Sequence, residues 1–208
     1  QKTEAQVLKK ELDLRNVEVD EQRAIAEADL AKAEPALKEA QKAVRGIQKK
    51  HLDEIRALAR PPAAIRLTME AVVMMLNPDR LKDHAWRTVR SDMRKAHFVQ
   101  EVVEFSSDQI SPEVRKLLKR KYLTGEYSDQ FNLEKVTKAS SCTGPLFKWI
   151  SSQIEFADIK ERIEPLRLQV AKLAKESEGL VQKHVEVVES IELLETSNHT
   201  SISTKKRI

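Results

Sequence analysis

Apolar residues recur every seven positions at both ends of this chain, and the repeat is absent between them. Near the C-terminus one row is Ile159, Leu166, Leu173, Leu180, Val187 and Leu194. Its companion row is Phe156, Ile163, Val170, Ser177, His184 and Ile191. Gaps alternating between three and four residues mark a helix packed lengthwise on another helix. At the N-terminal end Leu12, Val19, Ala26, Ala33, Ala40 and Ile47 form one row, and Leu30, Leu37, Val44, His51 and Leu58 the other. This seam is lighter, because alanine supplies half of its first row. Residues 1 to about 58 therefore read as one helix, bent at Pro35 because proline removes a hydrogen bond there. Pro61-Pro62 stops the pattern, and it resumes only near residue 156. Two heptad arms bracketing an insert predict an antiparallel hairpin; a parallel dimer of each arm is the competing arrangement.

The insert reads as a string of short helices. Ala63 to Leu76 carries Ile65, Met69, Val72, Val73 and Leu76 at helical spacing, and Asn77-Pro78 ends it. Trp86, Val89 and Met93 follow, then Phe98, Val102, Val103 and Phe105. Ser111-Pro112-Glu113 is an N-cap with proline at the first helical position, opening a helix through Leu117, Leu118 and Tyr122 that Gly125 closes. Asn132 caps another helix, through Val136. Gly144-Pro145 precedes a last one, carrying Leu146, Trp149, Ile150 and Ile154, that flows into the closing arm. No stretch alternates as a strand. The expected fold is all-α, a long antiparallel coiled-coil hairpin capped by a bundle of about six short helices. Its divisions are 1–60 for the outgoing arm, 61–157 for the helical insert and 158–208 for the returning arm.

Composition agrees with long helices: of 208 residues 34% are charged, 4% are aromatic and four are glycine. A single cysteine, Cys142, excludes an internal disulfide framework and fits a reducing compartment. No run of about eighteen apolar residues is present, so no membrane span is expected, and the charged N-terminus is no signal peptide. Asn198-His199-Thr200 matches a glycosylation sequon, an accidental match without secretion. The glycines at 46, 125, 144 and 179 stand singly and form no phosphate loop. His51, His84, His97, His184 and His199 lack metal-ligand spacing. Cys142 near a helix start is read as a small packed residue rather than a nucleophile. Catalytic residues, metal and cofactor are therefore expected to be absent, and binding or force transmission is the expected role.

A formal charge of +4 permits an anionic partner without demanding one. Two basic clusters in the insert supply candidates: Arg87, Arg90, Arg94 and Lys95, and then Arg115, Lys116, Lys119, Arg120 and Lys121. For any single cation a solvated helix face is the ordinary explanation. Together, at the end of a hairpin, they suggest a contact surface for an acidic partner, steering encounter and weakened by salt. Trp86, Trp149, Phe98 and Phe131 keep core-like spacing and are not interleaved with the cations, which argues against nucleic acid.

Several short stretches, in order and at matching distances, resemble dynein heavy chains over almost the whole length. They include Glu34-Pro35-Ala36, Ala43-Val44, Lys50-His51-Leu52, Pro61-Pro62-Ala63-Ala64 and Met69-Glu70. Further along are Trp86, Phe98, Phe105, Lys138-Ala139-Ser140, Cys142, Gly144-Pro145, Lys148-Trp149 and Ile163-Glu164-Pro165-Leu166. The helix leading into Pro61-Pro62 is more similar to cytoplasmic than to axonemal heavy chains, while residues 198–208 match less clearly.

The resemblance implies a stalk projecting from a ring of ATPase modules that lies outside this sequence, with a six-helix tip that binds microtubules between α- and β-tubulin. It implies no enzyme activity for this segment itself, a parent motor that is an ATPase, and a cytoplasmic, cytoskeleton-associated location. It assigns microtubule contact to Arg66, Arg87, Lys95, Lys138 and Lys148, and a tempering acid to Glu134. Lys95 and Lys138 stand where the family often has arginine, which keeps charge but loses bidentate geometry. It also implies control of affinity by sliding of one arm against the other. Small knobs at Ala26, Ala33 and Ala40 and polar breaks at His51, Ser177 and His184 suit such sliding, with Pro61, Pro62 and Pro165 as the hinge that turns it into a tilt of residues 63–76. An RNA-binding helical arm and a structural tether with a dimerisation hinge are the alternative functions.

Overall fold

The computed structural model of the chain describes the backbone of residues 2–205, with side chains for 10, 13–176, 178, 179 and 182. Every regular element among the described residues is helical. The chain forms two compact units, Gln1–Ala26 with Arg162–Ile208, and Glu27–Glu161. The first unit thus joins the two ends of the sequence, as a hairpin requires.

Helix α1 spans Lys2–Arg45 and runs through Pro35. The sequence reading placed the disturbance at that proline and continued one helix to about 58. The helix instead ends near Gly46, and α2, Lys49–Ala57, starts afresh after the extended Gln48. Pro35 is exposed, so its missing N–H leaves a carbonyl facing water, where it is readily satisfied. At Gly46 the chain tightens through Gly46 N–H to Ala43 O, at 3.2 Å, and Ile47 N–H to Val44 O, at 3.0 Å. The interruption shifts the seam by one residue. Val44 is buried, but beyond the break Leu52 and Ile55 take the inward positions, and His51 and Leu58 are only half-buried.

On the described residues the two seams otherwise hold. Val19, Ala26, Ala33, Leu37, Ala40 and Val44 are buried on α1, and Ile159, Ile163 and Leu173 on the closing helix, with Leu166 and Val170 half-buried. The expected seam positions Leu12, Ser177, Leu180, His184, Val187, Ile191 and Leu194 lie outside the described side chains.

Helix α3, Ala63–Leu76, is the axis of the second unit. Every residue of Leu67–Met75 is buried, so no face of this stretch is left to solvent. A helix apolar on every side has to be surrounded, and α4 (Trp86–Met93), α5 (Phe98–Glu104), α6 (Pro112–Leu117) and α7 (Leu133–Ala139) pack around it. The two caps read from the sequence form as expected: Ser111 Oγ accepts from Val114 N–H at 3.3 Å and Asn132 Oδ1 from Lys135 N–H at 3.0 Å. Asn77, read only as the end of α3, also caps the following turn, its Oδ1 accepting from Asp79 N–H at 3.1 Å. Each satisfies an orphan donor of a first turn.

Beyond α6 the chain widens into a π-helical turn, Leu118–Leu123, before Gly125. A Cβ on Gly125 would sit 2.0 Å from Arg120 O, so any side chain forces the backbone of the π turn to move. Gly125→Ala should cost roughly 2 kcal/mol or more; urea unfolding measures it, and a neutral result would show that the turn relaxes freely.

Helix α8 spans Thr143–Lys205 without a boundary near 158, so the last insert helix continues into the returning arm, with the exposed Pro165 inside it. Thr143 Oγ1 anchors its start by donating to Val136 O and Ser140 O. Gly144 lets α7 approach, since a Cβ there would lie 2.7 Å from Thr137 Oγ1. Rings meet edge to face from Tyr127 through Tyr122 and Phe131 to Phe147, and Trp149 meets Phe105 at 5.6 Å.

Candidate functional site

The five cations assigned to contact stand on or beside four elements of the Glu27–Glu161 unit: Arg66 on α3, Arg87 and Lys95 on and just after α4, Lys138 on α7 and Lys148 on α8. Arg87 and Lys148 are exposed and form no ion pair among the described residues. The other three are held by acids, each differently.

Arg66 Nη1 lies 2.6 Å from Glu70 Oε1, with the arginine 41% and the glutamate 3% exposed. Tyr122 OH donates to the other carboxylate oxygen of Glu70 at 3.1 Å. A buried carboxylate needs such partners, because an unpaired one is costly. Burial first, and then the negative charge of Glu70, push the Tyr122 phenol far up, so it remains a donor at any working pH. Arg66 therefore has an inner partner as well as access to solvent.

Asp92, nearly buried on α4, gathers two cations: Arg80 through Nε at 2.6 Å and Nη2 at 3.3 Å, and Lys95 at 3.0 Å. Burial alone would raise its carboxyl, but the bonds from Arg80 and Lys95 prevail and hold it below the usual range. A lowered carboxyl adds stability above its unfolded titration that is lost as pH falls through the folded value. Lys95 is thus held through its ammonium group while its side chain stays about half exposed.

Lys138 Nζ lies 2.7 Å from Glu134 Oε1, one turn away on α7, and both are about three-quarters exposed. The hydrogen bond between them, and then their mutual attraction, lowers the Glu134 carboxyl and raises the Lys138 ammonium. The i,i+4 spacing made this pair legible in the sequence.

The second basic cluster is corrected by the structure. Arg115 pairs with Glu161, and its Nε lies 3.5 Å from Asp158; Lys119 Nζ reaches Asp158 at 2.6 Å. Lys160 completes the belt by pairing with Asp108 at 2.5 Å. Two of the five cations read as partner-facing thus fasten α6 and the π turn to α8. Lys116, Arg120 and Lys121 remain exposed. The separations of 39 and 46 residues explain why spacing gave no sign of it. Cys142 is buried, and desolvation raises its thiol, which suits a packed residue and not a nucleophile. Among the described residues no helix is long and apolar enough to cross a membrane.

Residues 1–205 match the family model described as the microtubule-binding stalk of dynein motor. The chain is 38% identical over 195 residues to the cytoplasmic dynein heavy chain of Dictyostelium discoideum, a match covering 93% of this chain and 4% of that protein. The corresponding protein of Paramecium tetraurelia is 36% identical over 178 residues, covering 86% of this chain and 4% of its own length. The chain therefore spans only a small part of these relatives. A solved structure of the microtubule-binding domain of dynein-c shares the fold, with a TM-score of 0.56 at 23% identity over 67% of this chain and 94% of that one. A heptad-flanked helical unit, a family match from end to end and identities above 30% together place this chain in the dynein microtubule-binding stalk family.

Proposed function

We propose that this chain is the stalk and tip by which a dynein heavy chain holds a microtubule. The observation that carries this reading is the family match over residues 1–205, on a unit whose exposed cations stand on separate helices. Residues 1–60 and 158–208 serve as the outgoing and returning arms, and 61–157 as the tip. The partners are α/β-tubulin and the remainder of the heavy chain with its ATPase ring, in the cytoplasm on the cytoskeleton.

Tubulin carries acidic surface, and Arg66, Arg87, Lys95, Lys138 and Lys148 supply the complementary charge. Such contacts act chiefly on encounter and salt dependence. Lys138 has to leave Glu134 to meet an outside carboxylate, so Glu134 restrains the affinity. Pro61 and Pro62 stand immediately before α3, with Pro62 at its N-cap, and Pro165 lies within α8, which supports reading them as the hinge. Sliding of the arms would change affinity by tilting α3, and Arg66 with it.

Co-sedimentation with microtubules at graded salt tests the assignment. Lys138→Glu should weaken binding roughly fivefold, and Glu134→Gln should strengthen it, with circular dichroism unchanged and excess RNA failing to compete. Two substitutions four residues apart acting in opposite directions would be hard to obtain from a folding defect. Equal binding by both variants and the parent would remove these residues from the interface.

A further inference from the structure

Helices α2 and α4 cap one another. The last turn of a helix leaves carbonyls without partners. In α4, Ser91 O and Asp92 O accept from Arg94 N–H and Lys95 N–H, at 3.2 and 3.1 Å. Met93 O, at the end of the helix, accepts instead from Nη2 of Arg56 on α2. The Arg56 side chain is 15% exposed, and its guanidinium is steadied by Asp53 at 2.7 Å. A cation at a helix C-terminus is favoured by the aligned peptide dipoles as well as by the hydrogen bond. The reverse contact closes the pair: Trp86, the first residue of α4, donates its indole N–H at 2.8 Å to the carbonyl of Leu58, the C-cap of α2. Each helix thus supplies the side chain that satisfies the carbonyl end of the other, through residues 28 and 37 positions apart.

We propose that Arg56 and Trp86 are positioning residues that make α4 follow α2, so that a displacement of the outgoing arm reaches the exposed Arg87 directly, beside any tilt of α3. The Arg80–Asp92 pair also holds α4 to the 3₁₀ turn after α3, Pro78–Leu81. Met93 O and Leu58 O belong to backbone, so moving α2 without α4 would leave two helix ends unsatisfied. The claim about Arg87 rests on the microtubule reading; the coupling of the two helices does not.

Two measurements on the 208-residue chain separate them. Arg56→Met keeps the length of the side chain and removes its donors; Trp86→Phe keeps a ring and removes the N–H. Hydrogen exchange of the free chain should speed up about tenfold in the last turns of both α2 and α4 for either variant, because loss of a charge-assisted or buried bond is felt at both of its ends. Faster exchange confined to the helix that carries the substitution overturns the coupling, and Trp86→Phe decides the matter if Arg56→Met fails to fold.

In co-sedimentation, Arg56→Met should lower microtubule affinity several-fold with an unchanged dependence on salt, whereas Arg87→Gln should flatten that dependence. Coupled exchange with unaltered affinity overturns delivery to the binding surface. Failure of the unsubstituted chain to sediment with microtubules counts against the proposed function, and the exchange result still decides the reciprocal caps.

Discussion

Trp149→Ala lowers the unfolding free energy of the Glu27–Glu161 unit by about 4 kcal/mol, the usual cost of emptying a buried tryptophan site. Trp149 is fully buried on α8, edge-on to Phe105, with Gln153 one turn further donating to Phe105 O at 3.1 Å. Leu146, Ile150 and Ile154 continue the same packed surface. This part of α8 is held to the insert by packing and, at residues 158–161, by the ion pairs with Arg115, Lys119 and Asp108. Neighbouring side chains of helices cannot collapse into a void of indole size, so transfer and cavity costs add. Trp149→Phe is milder, about 1–2 kcal/mol, because the indole N–H finds no acceptor among the described residues and its loss leaves no acceptor stranded. Urea titration of the two variants gives the comparison through the midpoint at constant slope. A loss under about 1 kcal/mol for the alanine variant would mean that the unit refills the site.

Locking the arms in two registers should change microtubule affinity tenfold or more, since coupling energies between distant sites run to about 1–3 kcal/mol. Cysteine pairs would join the 33–44 stretch of α1 to the 154–161 stretch of α8 in alignments half a heptad apart. The seam there suits two settings. Ala33 and Ala40 are small knobs beside Leu37 and Val44, and small knobs lose less packing when displaced than leucines do. The break at Gly46–Gln48 lies between this stretch and α2. Cys142 is buried with a raised thiol and should stay out of the oxidation. Equal affinity of the two locked forms would sink the sliding mechanism while leaving the binding surface intact.

The sites were partly legible. Glu134 with Lys138, and Arg66 with Glu70, sit one helical turn apart, and such pairs follow from spacing once the helix is known. Asp92 as the anchor of Arg80 and Lys95 was not read, although its place three residues before Lys95 hinted at half of it. Tyr122 as a partner of Glu70 had no signal, because 52 residues separate them.

What the sequence determined by itself was local or periodic: the all-helical class, the seam at Ile159, Ile163, Leu166, Val170 and Leu173, and the caps at Ser111 and Asn132. These arise from side chains meeting backbone within a few residues, or from a repeat that matches helix geometry. The tertiary structure alone decided that α1 ends at Arg45, before Gly46, and that Arg115 and Lys119 serve α8. It also decided that Arg56 and Trp86 join α2 to α4. Whether a helix end or a charge faces water or a partner depends on which surfaces meet, and contacts between residues dozens of positions apart leave no period in the chain.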